Sequence, residues 1–179
     1  MTIGFILNGE DVDIRLGEGI PANARDEHEH EQQSHPAARL VDILRNTFSL
    51  FGTKAGCYCG NCGACSVIFN GDVAKACLIP AFKIKDSEII TIEGFAQTDE
   101  YQDIIRAFAE AGVQSCGFCD TGKILATEVL LSRNHRLSRE EILAGFSGIR
   151  CRCTDPETLW QMVMAAFEYR RQRIYGRSF

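Results

Sequence analysis

The stretch from Gly52 to Cys65, GTKAGCYCGNCGAC, contains four cysteines and four glycines in fourteen residues. Cys57, Cys62 and Cys65 follow the order C-x4-C-x2-C, and Cys77 comes after a short strand-like run. This spacing is typical of a loop that binds a 2Fe-2S cluster. Iron–sulfur clusters take soft thiolate ligands, and glycines let the backbone curl and point its N–H groups at the sulfur atoms.

Cys59 offers this loop a second register. Cys59, Cys62 and Cys65 form C-x2-C-x2-C, which begins a bacterial 4Fe-4S motif. That motif needs a further cysteine three residues on, followed by proline, but position 69 is Phe. The register with Cys77 is therefore favoured, and Cys59 is predicted to be a spare thiol.

The residues on both sides of the loop predict an α+β first half, because short alternating runs surround one apolar helical stripe. Asn-Gly pairs between alternating runs indicate tight hairpin turns. The predicted elements are a hairpin over 2–16, a helix over 36–48 with Ser34 as its N-cap, a hairpin over 67–78 and a strand at 89–92.

From about residue 94 onward, the pattern changes to helices joined by short loops, which suggests a small bundle. Their start signals are Thr98 or Asp99, the capping box of Ser138 and Glu141, and Pro156 in a first turn. A further helix is predicted around 124–130. We expect one domain over 1–93, with a polar insertion at 18–35, and a second over 94–179.

Composition excludes several classes of function for the 179 residues. The net charge of −5 disfavours nucleic-acid binding, and no apolar run is long enough to span a membrane. The first residues alternate like a strand and lack the basic start of a signal peptide. A cytoplasmic protein is therefore predicted, in which the nine cysteines serve as metal ligands rather than as a disulfide framework.

The polar insertion carries His28, His30 and His35 within an acidic tract. Histidines at this density could in principle hold a metal ion. The favoured interpretation is a solvated loop or a cover for a partner subunit.

A second set of cysteines lies in the helical half, as Cys116-Gly-Phe-Cys119 and Cys151-Arg-Cys153. The two loops that carry them are expected to meet at one end of the bundle. Four thiolates from two loops suit either zinc or a second iron–sulfur cluster. Zinc sites with four cysteines usually use two C-x2-C turns, and here one half is C-x-C, so the spacing favours a cluster but leaves zinc open.

Taken together, GTKAGC, GNCGACSV, TIEGF, CGFC and CRCT resemble the small iron–sulfur subunit of the molybdenum hydroxylases. This family includes xanthine dehydrogenases, aldehyde oxidoreductases, carbon monoxide dehydrogenases and nicotinate dehydrogenases. The match covers nearly the whole chain apart from 18–35. It implies a plant-ferredoxin-like β-grasp domain followed by a four-helix bundle domain, with a 2Fe-2S cluster in each.

The resemblance also implies the role of each cysteine set. Cys57, Cys62, Cys65 and Cys77 would hold a cluster that faces an FAD subunit or domain, and Cys116, Cys119, Cys151 and Cys153 one nearer the molybdenum–pterin cofactor of a large subunit. Electrons would pass singly through both clusters towards the flavin, with no substrate chemistry on this chain. The alternative is a stand-alone two-cluster carrier for another redox partner.

Several neighbours of the second cysteine set depart from the family pattern. The family has a pterin-contacting Gln directly before CGFC, where this chain has Ser115 with Gln114 one place earlier. The other departures are Asp120-Thr121, Ile149-Arg150 and Asp155-Pro156. A possible pterin contact is assigned to Gln114 and Ser115. Arg150 and Arg152 are expected to favour the reduced form of the adjacent cluster.

Overall fold

The computed structural model describes residues 1–17, 33–113, 115–133 and 137–176, and within them the chain combines one sheet with several helices. The six strands of the described sheet lie in the order β3-β2-β1-β6-β4-β5. The strands are β1 (Thr2–Leu7), β2 (Glu10–Leu16), β3 (Gln33–Ser34), β4 (Ser66–Phe69), β5 (Asp72–Lys75) and β6 (Glu88–Ile90). The helices are α1 (Leu40–Asn46), α2 (Ile92–Phe95), α3 (Asp99–Glu110), α4 (Asp120–Ser132), α5 (Arg139–Gly145) and α6 (Pro156–Tyr175).

Two antiparallel hairpins form most of the sheet, and both turn at the predicted Asn-Gly pairs. Asn8 and Gly9 have φ of 53° and 86°, and Asn70 and Gly71 have φ of 50° and 86°. These positive angles match the twist of the flanking strands, which is why Asn-Gly is favoured there. β6 joins the hairpins, parallel to β1 and antiparallel to β4.

The sheet packs against α1 to form the first apolar core. Its alternating strand residues point inward, as the period of two requires. The core comprises Ile3, Phe5, Leu7, Ile14, Leu16, Leu40, Val41, Ile43, Leu44, Val67, Ile84 and Ile89, together with smaller side chains that include Cys65 and Cys77. Two cysteines of the first set are therefore part of this core.

Helix α1 begins later than the sequence pattern predicts, and Ser34 is not its N-cap. Ser34 lies in β3, and the N-cap residue is Arg39, which has extended backbone angles and no side-chain capping bond. Arg39 forms a β-bridge with Pro80, and the Leu40 N–H donates to the Ile79 carbonyl at 2.8 Å. This pairing with a distant segment keeps the residues before Leu40 out of the helix.

Three of the helices after the sheet, α3, α5 and α6, begin at the predicted start signals, whereas the predicted strand at 89–92 ends at Ile90 and Ile92 begins α2. The Thr98 hydroxyl accepts from the Tyr101 N–H, Ser138 and Glu141 form the reciprocal capping box, and Pro156 occupies the first turn of α6. The N-cap of α6 is Asp155, whose carboxylate accepts from the N–H groups of Glu157 and Thr158. These caps satisfy N–H groups that have no partner inside their helices.

Helix α4 lies at the centre of the second apolar core. It contacts α3, α5 and α6 on one side and β4 and β5 on the other, and almost every residue from Thr121 to Leu131 is buried. Its buried residues include the polar Thr121, Lys123 and Thr127, and each of these side chains has a hydrogen-bond partner within the protein. No helix in the described ranges is both long and apolar enough to cross a membrane.

Candidate metal centres

The nine cysteines are all free thiols, and they lie in two separate groups. Within each group the thiols interact electrostatically or by hydrogen bonds with one another. The first group contains Cys57, Cys59, Cys62, Cys65 and Cys77, and the second contains Cys116, Cys119, Cys151 and Cys153. The fold therefore brings together the members of each predicted ligand set.

The loop between α1 and β4 curls around Cys57. The N–H groups of Asn61 and Cys62 each donate to the Cys57 sulfur at 3.3 Å. Together with the N–H of Cys59, which has the largest effect, they lower the pKa of Cys57 to about 6. Backbone donors thus stabilise a thiolate here, which is the form that binds iron.

Cys65 and Cys77 form the buried side of the first group. The thiols lie within hydrogen-bonding reach of each other, and the Ala76 N–H donates to the Cys65 carbonyl at 3.0 Å. Burial raises the pKa of Cys65 to about 11. Because the site is poorly hydrated, the Cys65 thiol keeps its proton unless a metal ion replaces that proton.

Cys59 is exposed, but it lies beside the ligand set. Its thiol contacts that of Cys57, and this hydrogen bond raises the pKa of Cys59. Cys59 therefore belongs to the same group of thiols as the four predicted ligands.

The second group sits where two loops meet at the start of α4. Cys119 is buried immediately before the helix, and burial raises its pKa to about 12. Its thiol contacts that of Cys151, while the thiol of Cys116 contacts that of Cys153. The Cys153 N–H also donates to the Cys151 sulfur at 3.3 Å.

The donor sets fit 2Fe-2S clusters. Such a cluster takes four cysteine thiolates, two on each iron, and the thiols contact one another in pairs: Cys57 with Cys62, Cys65 with Cys77, Cys119 with Cys151, and Cys116 with Cys153. Among the residues that the structure describes, no three His, Cys, Asp or Glu side chains converge as they would around a single metal ion.

Backbone and side-chain contacts join the two cysteine loops. The Arg150 N–H donates to the Cys62 carbonyl at 3.1 Å, and the Thr121 hydroxyl donates to the Gly52 carbonyl at 2.9 Å. Gly63, with φ of 77°, approaches the second loop so closely that an added Cβ would lie 2.8 Å from the Gly148 carbonyl oxygen. Only glycine fits this position.

Two residues that depart from the family pattern belong to one polar network. The Ser115 hydroxyl donates to Asp120, whose other carboxylate oxygen lies 3.1 Å from the Lys123 ammonium. Lys123 in turn donates to the Thr154 hydroxyl at 3.2 Å. Sequence reasoning missed Lys123, although its place four residues after Cys119 puts both on one helix face.

The pterin contact assigned to Gln114 and Ser115 stays a prediction. Gln114 lies outside the described residues. The exposed Ser115 hydroxyl accepts from the Gly117 N–H at 3.0 Å as well as donating to Asp120. In this conformation its hydrogen bonds stay within the loop.

The polar insertion at 18–35, with His28 and His30, falls almost wholly outside the described residues. Within the described part, the His35 Nδ1 accepts from the Ala37 N–H at 3.1 Å. The interpretation of this segment as a loop or a cover stays a prediction.

Comparisons with known proteins agree with this arrangement. Residues 91–164 match the 2Fe-2S binding domain family. The nicotinate dehydrogenase small FeS subunit of Eubacterium barkeri is 44% identical over 121 residues, which cover 68% of this chain and 77% of that protein. The xanthine dehydrogenase iron-sulfur-binding subunit of Escherichia coli O157:H7 is 36% identical over 131 residues, covering 72% of this chain and 82% of that protein.

Solved structures extend the similarity to nearly the whole chain. A crystal structure of quinoline 2-oxidoreductase from Pseudomonas putida 86 has a TM-score of 0.75 and 29% identity, covering 96% of both chains. The aldehyde oxidoreductase of Desulfovibrio desulfuricans ATCC 27774 has a TM-score of 0.76 and 30% identity, covering 95% of this chain and 17% of that one. This chain belongs to the family of small iron–sulfur subunits of the molybdenum hydroxylases.

Proposed function

We propose that this chain is the electron-transfer subunit of a multi-subunit molybdenum hydroxylase, and that its eight paired cysteines hold the two 2Fe-2S clusters. The observation that carries the proposal is the grouping of these thiols into two sets of two pairs, with the sets joined by the hydrogen bond from Arg150 to Cys62. Two adjacent 2Fe-2S clusters would suit an electron relay, because each cluster takes up and releases one electron at a time.

The paired contacts suggest which thiols share an iron. In the first set, Cys57 and Cys62 would bind one iron, with Cys65 and Cys77 on the other. The second set divides in the same way into two pairs, Cys119 with Cys151 and Cys116 with Cys153. Cys59 remains outside the ligand set in this assignment, because a 2Fe-2S cluster needs four thiolates.

The protein residues around the sites have distinct tasks. The N–H groups of Asn61 and Cys62 stabilise negative charge on Cys57. Burial of Cys65, Cys77 and Cys119 keeps water from that side of each set. The backbone of Arg150 connects Cys62 of the first set to Cys151 of the second, because the Arg150 N–H donates to the Cys62 carbonyl and Cys151 directly follows Arg150. This short route contains covalent bonds and one hydrogen bond.

We assign the architecture that the family resemblance implies: a plant-ferredoxin-like β-grasp domain over 1–93 and a four-helix bundle domain over 94–179. The separate apolar cores support this division, since one is built from the sheet and α1 and the other mainly from helices. The contacts of α4 with β4 and β5 hold the two parts together.

The partners are a large molybdenum-cofactor subunit and an FAD subunit or domain. The supporting observation is that the similar proteins from Eubacterium barkeri and Escherichia coli are named as subunits of dehydrogenases. The net charge of −5 disfavours nucleic acid as a partner. The cytoplasmic location predicted from the sequence stays a prediction.

Purification of the native assembly tests this function. We expect a brown complex with about four irons per copy of this chain and two distinct paramagnetic signals after reduction. A molybdenum-containing chain should co-purify. Two clusters without any molybdenum partner would indicate a stand-alone carrier instead, and about two irons with one zinc would contradict the second cluster.

A further inference from the structure

Lys123 is one of the most deeply buried side chains of the molecule, with 1% of its surface exposed. Burying an ammonium group away from water is costly unless partners compensate for the lost hydration. A lysine at such a position is therefore unusual. It lies in the first turn of α4, four residues after Cys119.

Three partners surround the Lys123 ammonium. The Asp120 carboxylate lies at 3.1 Å, the Thr154 hydroxyl at 3.2 Å, and the centre of the Phe108 ring at 5.7 Å. An ammonium has three N–H donors, and a carboxylate, a hydroxyl and an aromatic ring face are all partners that a cation accepts.

These partners connect Lys123 to both loops of the second cysteine set. Asp120 directly follows Cys119, and Thr154 directly follows Cys153. The ammonium therefore lies between the two segments that carry Cys119 and Cys153. The loops themselves carry Arg150 and Arg152, but both of these side chains are exposed, so water and salt screen their charges.

We propose that Lys123 raises the reduction potential of the second cluster by holding a buried positive charge between the two loops that would bind it. The inference rests on the proposed assignment of that cluster to Cys116, Cys119, Cys151 and Cys153. A reduced cluster carries one more negative charge than an oxidised one, and a nearby cation in a poorly hydrated site stabilises the reduced form.

Asp120 weakens this effect without cancelling it. Its side chain is 25% exposed, whereas that of Lys123 is 1% exposed, so solvent screens the carboxylate more than the ammonium. The ammonium also acts more strongly on the Cys119 sulfur than the Asp120 carboxylate does. Of these two charges, the ammonium therefore has the larger effect at Cys119.

The test is a redox titration of the native assembly, followed by electron paramagnetic resonance, for Lys123→Met and Lys123→Gln. Methionine has a similar length without charge, and glutamine also keeps a donor for Asp120 or Thr154. We expect the potential of the second cluster to fall while that of the first is unchanged. The expected change is at least about tenfold in the one-electron equilibrium constant between the clusters, or about 59 mV.

Lys85→Met is the matched control. Lys85 also pairs with a neighbouring aspartate, Asp86, at 4.0 Å, but the two side chains are 60% and 81% exposed. This variant should leave both potentials unchanged, because an exposed pair is screened by water.

Lowered potential in either variant with full iron content would support the proposal. An unchanged potential of the second cluster in both variants, with full iron content, would overturn the proposal. Loss of the second cluster from both variants would also overturn it, in favour of a structural role for Lys123. A wild-type assembly that lacks a second cluster would instead refute the proposed function, so the two failures are distinguishable by iron content before any substitution.

Discussion

The two cysteine sets are built by different means. The first lies on a loop that is shaped by the backbone, with N–H groups that point at Cys57 and glycines at Gly60 and Gly63 with φ of 74° and 77°. The second lies where two loops meet at the start of α4, and the side chains of the Lys123 network link those two loops.

This difference explains what each set reveals in the sequence. A loop shaped by its backbone needs fixed spacings and glycines, so its spacing alone indicates a 2Fe-2S cluster. A set at helix ends requires only that two loops distant in sequence meet. Its cysteine spacing is therefore compatible with zinc as well as with an iron–sulfur cluster. Lys123, which acts on the second set, is near Asp120 in the sequence but distant from its other polar partner, Thr154.

The largest effect should come from removing one ligand of each set. Cys62→Ser should lose the first cluster and keep the second, and Cys119→Ser should do the reverse, because the thiol contacts fall within separate sets. Each variant should retain about half of the iron, or about two irons per chain. Iron analysis and paramagnetic resonance measure this; loss of both clusters from either variant would show that the sets are not independent.

A second effect should appear where the two sets touch. A Cβ added at Gly122 in α4 would lie 2.7 Å from the Gly63 carbonyl oxygen, which belongs to the first cysteine loop. Gly122→Ala should therefore push the loops apart and reduce the free energy of unfolding by about 1–3 kcal/mol, as overpacking usually does. Thermal unfolding of the native assembly measures this change.

Gly145→Ala in α5 is the control for the added methyl group. The three atoms nearest to its Cβ would all belong to the Leu130 side chain, the closest at 2.9 Å, and a side-chain end yields more readily than a backbone carbonyl. Gly145→Ala should reduce the free energy of unfolding by less than Gly122→Ala does. An equal or larger loss for Gly145→Ala would contradict the view that the loop contact is tight.

The second set should also depend more on helix packing than the first. Arg173 of α6 donates to Asp103 at 2.9 Å and to Glu100 at 2.7 Å, and so fastens α6 to α3. Arg173→Met leaves the Asp103 carboxylate, with 11% of its side chain exposed, without this partner. We expect Arg173→Met to reduce the free energy of unfolding by about 1–3 kcal/mol.

On heating the Arg173→Met assembly, the paramagnetic signal of the second cluster should disappear at a lower temperature than in the wild type, with the first little affected. Arg171→Met removes an exposed pair with Glu168 from the same helix and should change neither. Earlier loss of the first cluster would contradict the dependence on helix packing.

Local chemistry made most of the fold predictable. The Asn-Gly turns, the caps at Thr98 and Ser138, and Pro156 in the first turn of α6 are short-range signals, and all appear as predicted. The late start of α1 was not predictable in this way, because it depends on Arg39 pairing with Pro80, far along the chain.

The candidate sites follow the same division. The spacing of the cysteines sufficed to group them, because sulfur ligands are few and conspicuous. Lys123 was missed because a lysine in a helix normally faces water, and only tertiary packing by Phe108 and Thr154 buries it. A charged residue four positions after a ligand cysteine was the available signal.

The smallest effect, and the sharpest test of the first set, concerns Cys59. The structure places its thiol in contact with Cys57, yet Cys59 is exposed while Cys65 and Cys77 are buried. With four other thiols already paired, Cys59→Ser should leave the iron content and both paramagnetic signals unchanged. Measured beside Cys62→Ser, it separates the two registers of the loop, because C-x4-C-x2-C does not use Cys59 whereas C-x2-C-x2-C begins with it. A bleached Cys59→Ser protein would therefore move the first ligand from Cys57 to Cys59, and the N–H groups around Cys57 would need another explanation.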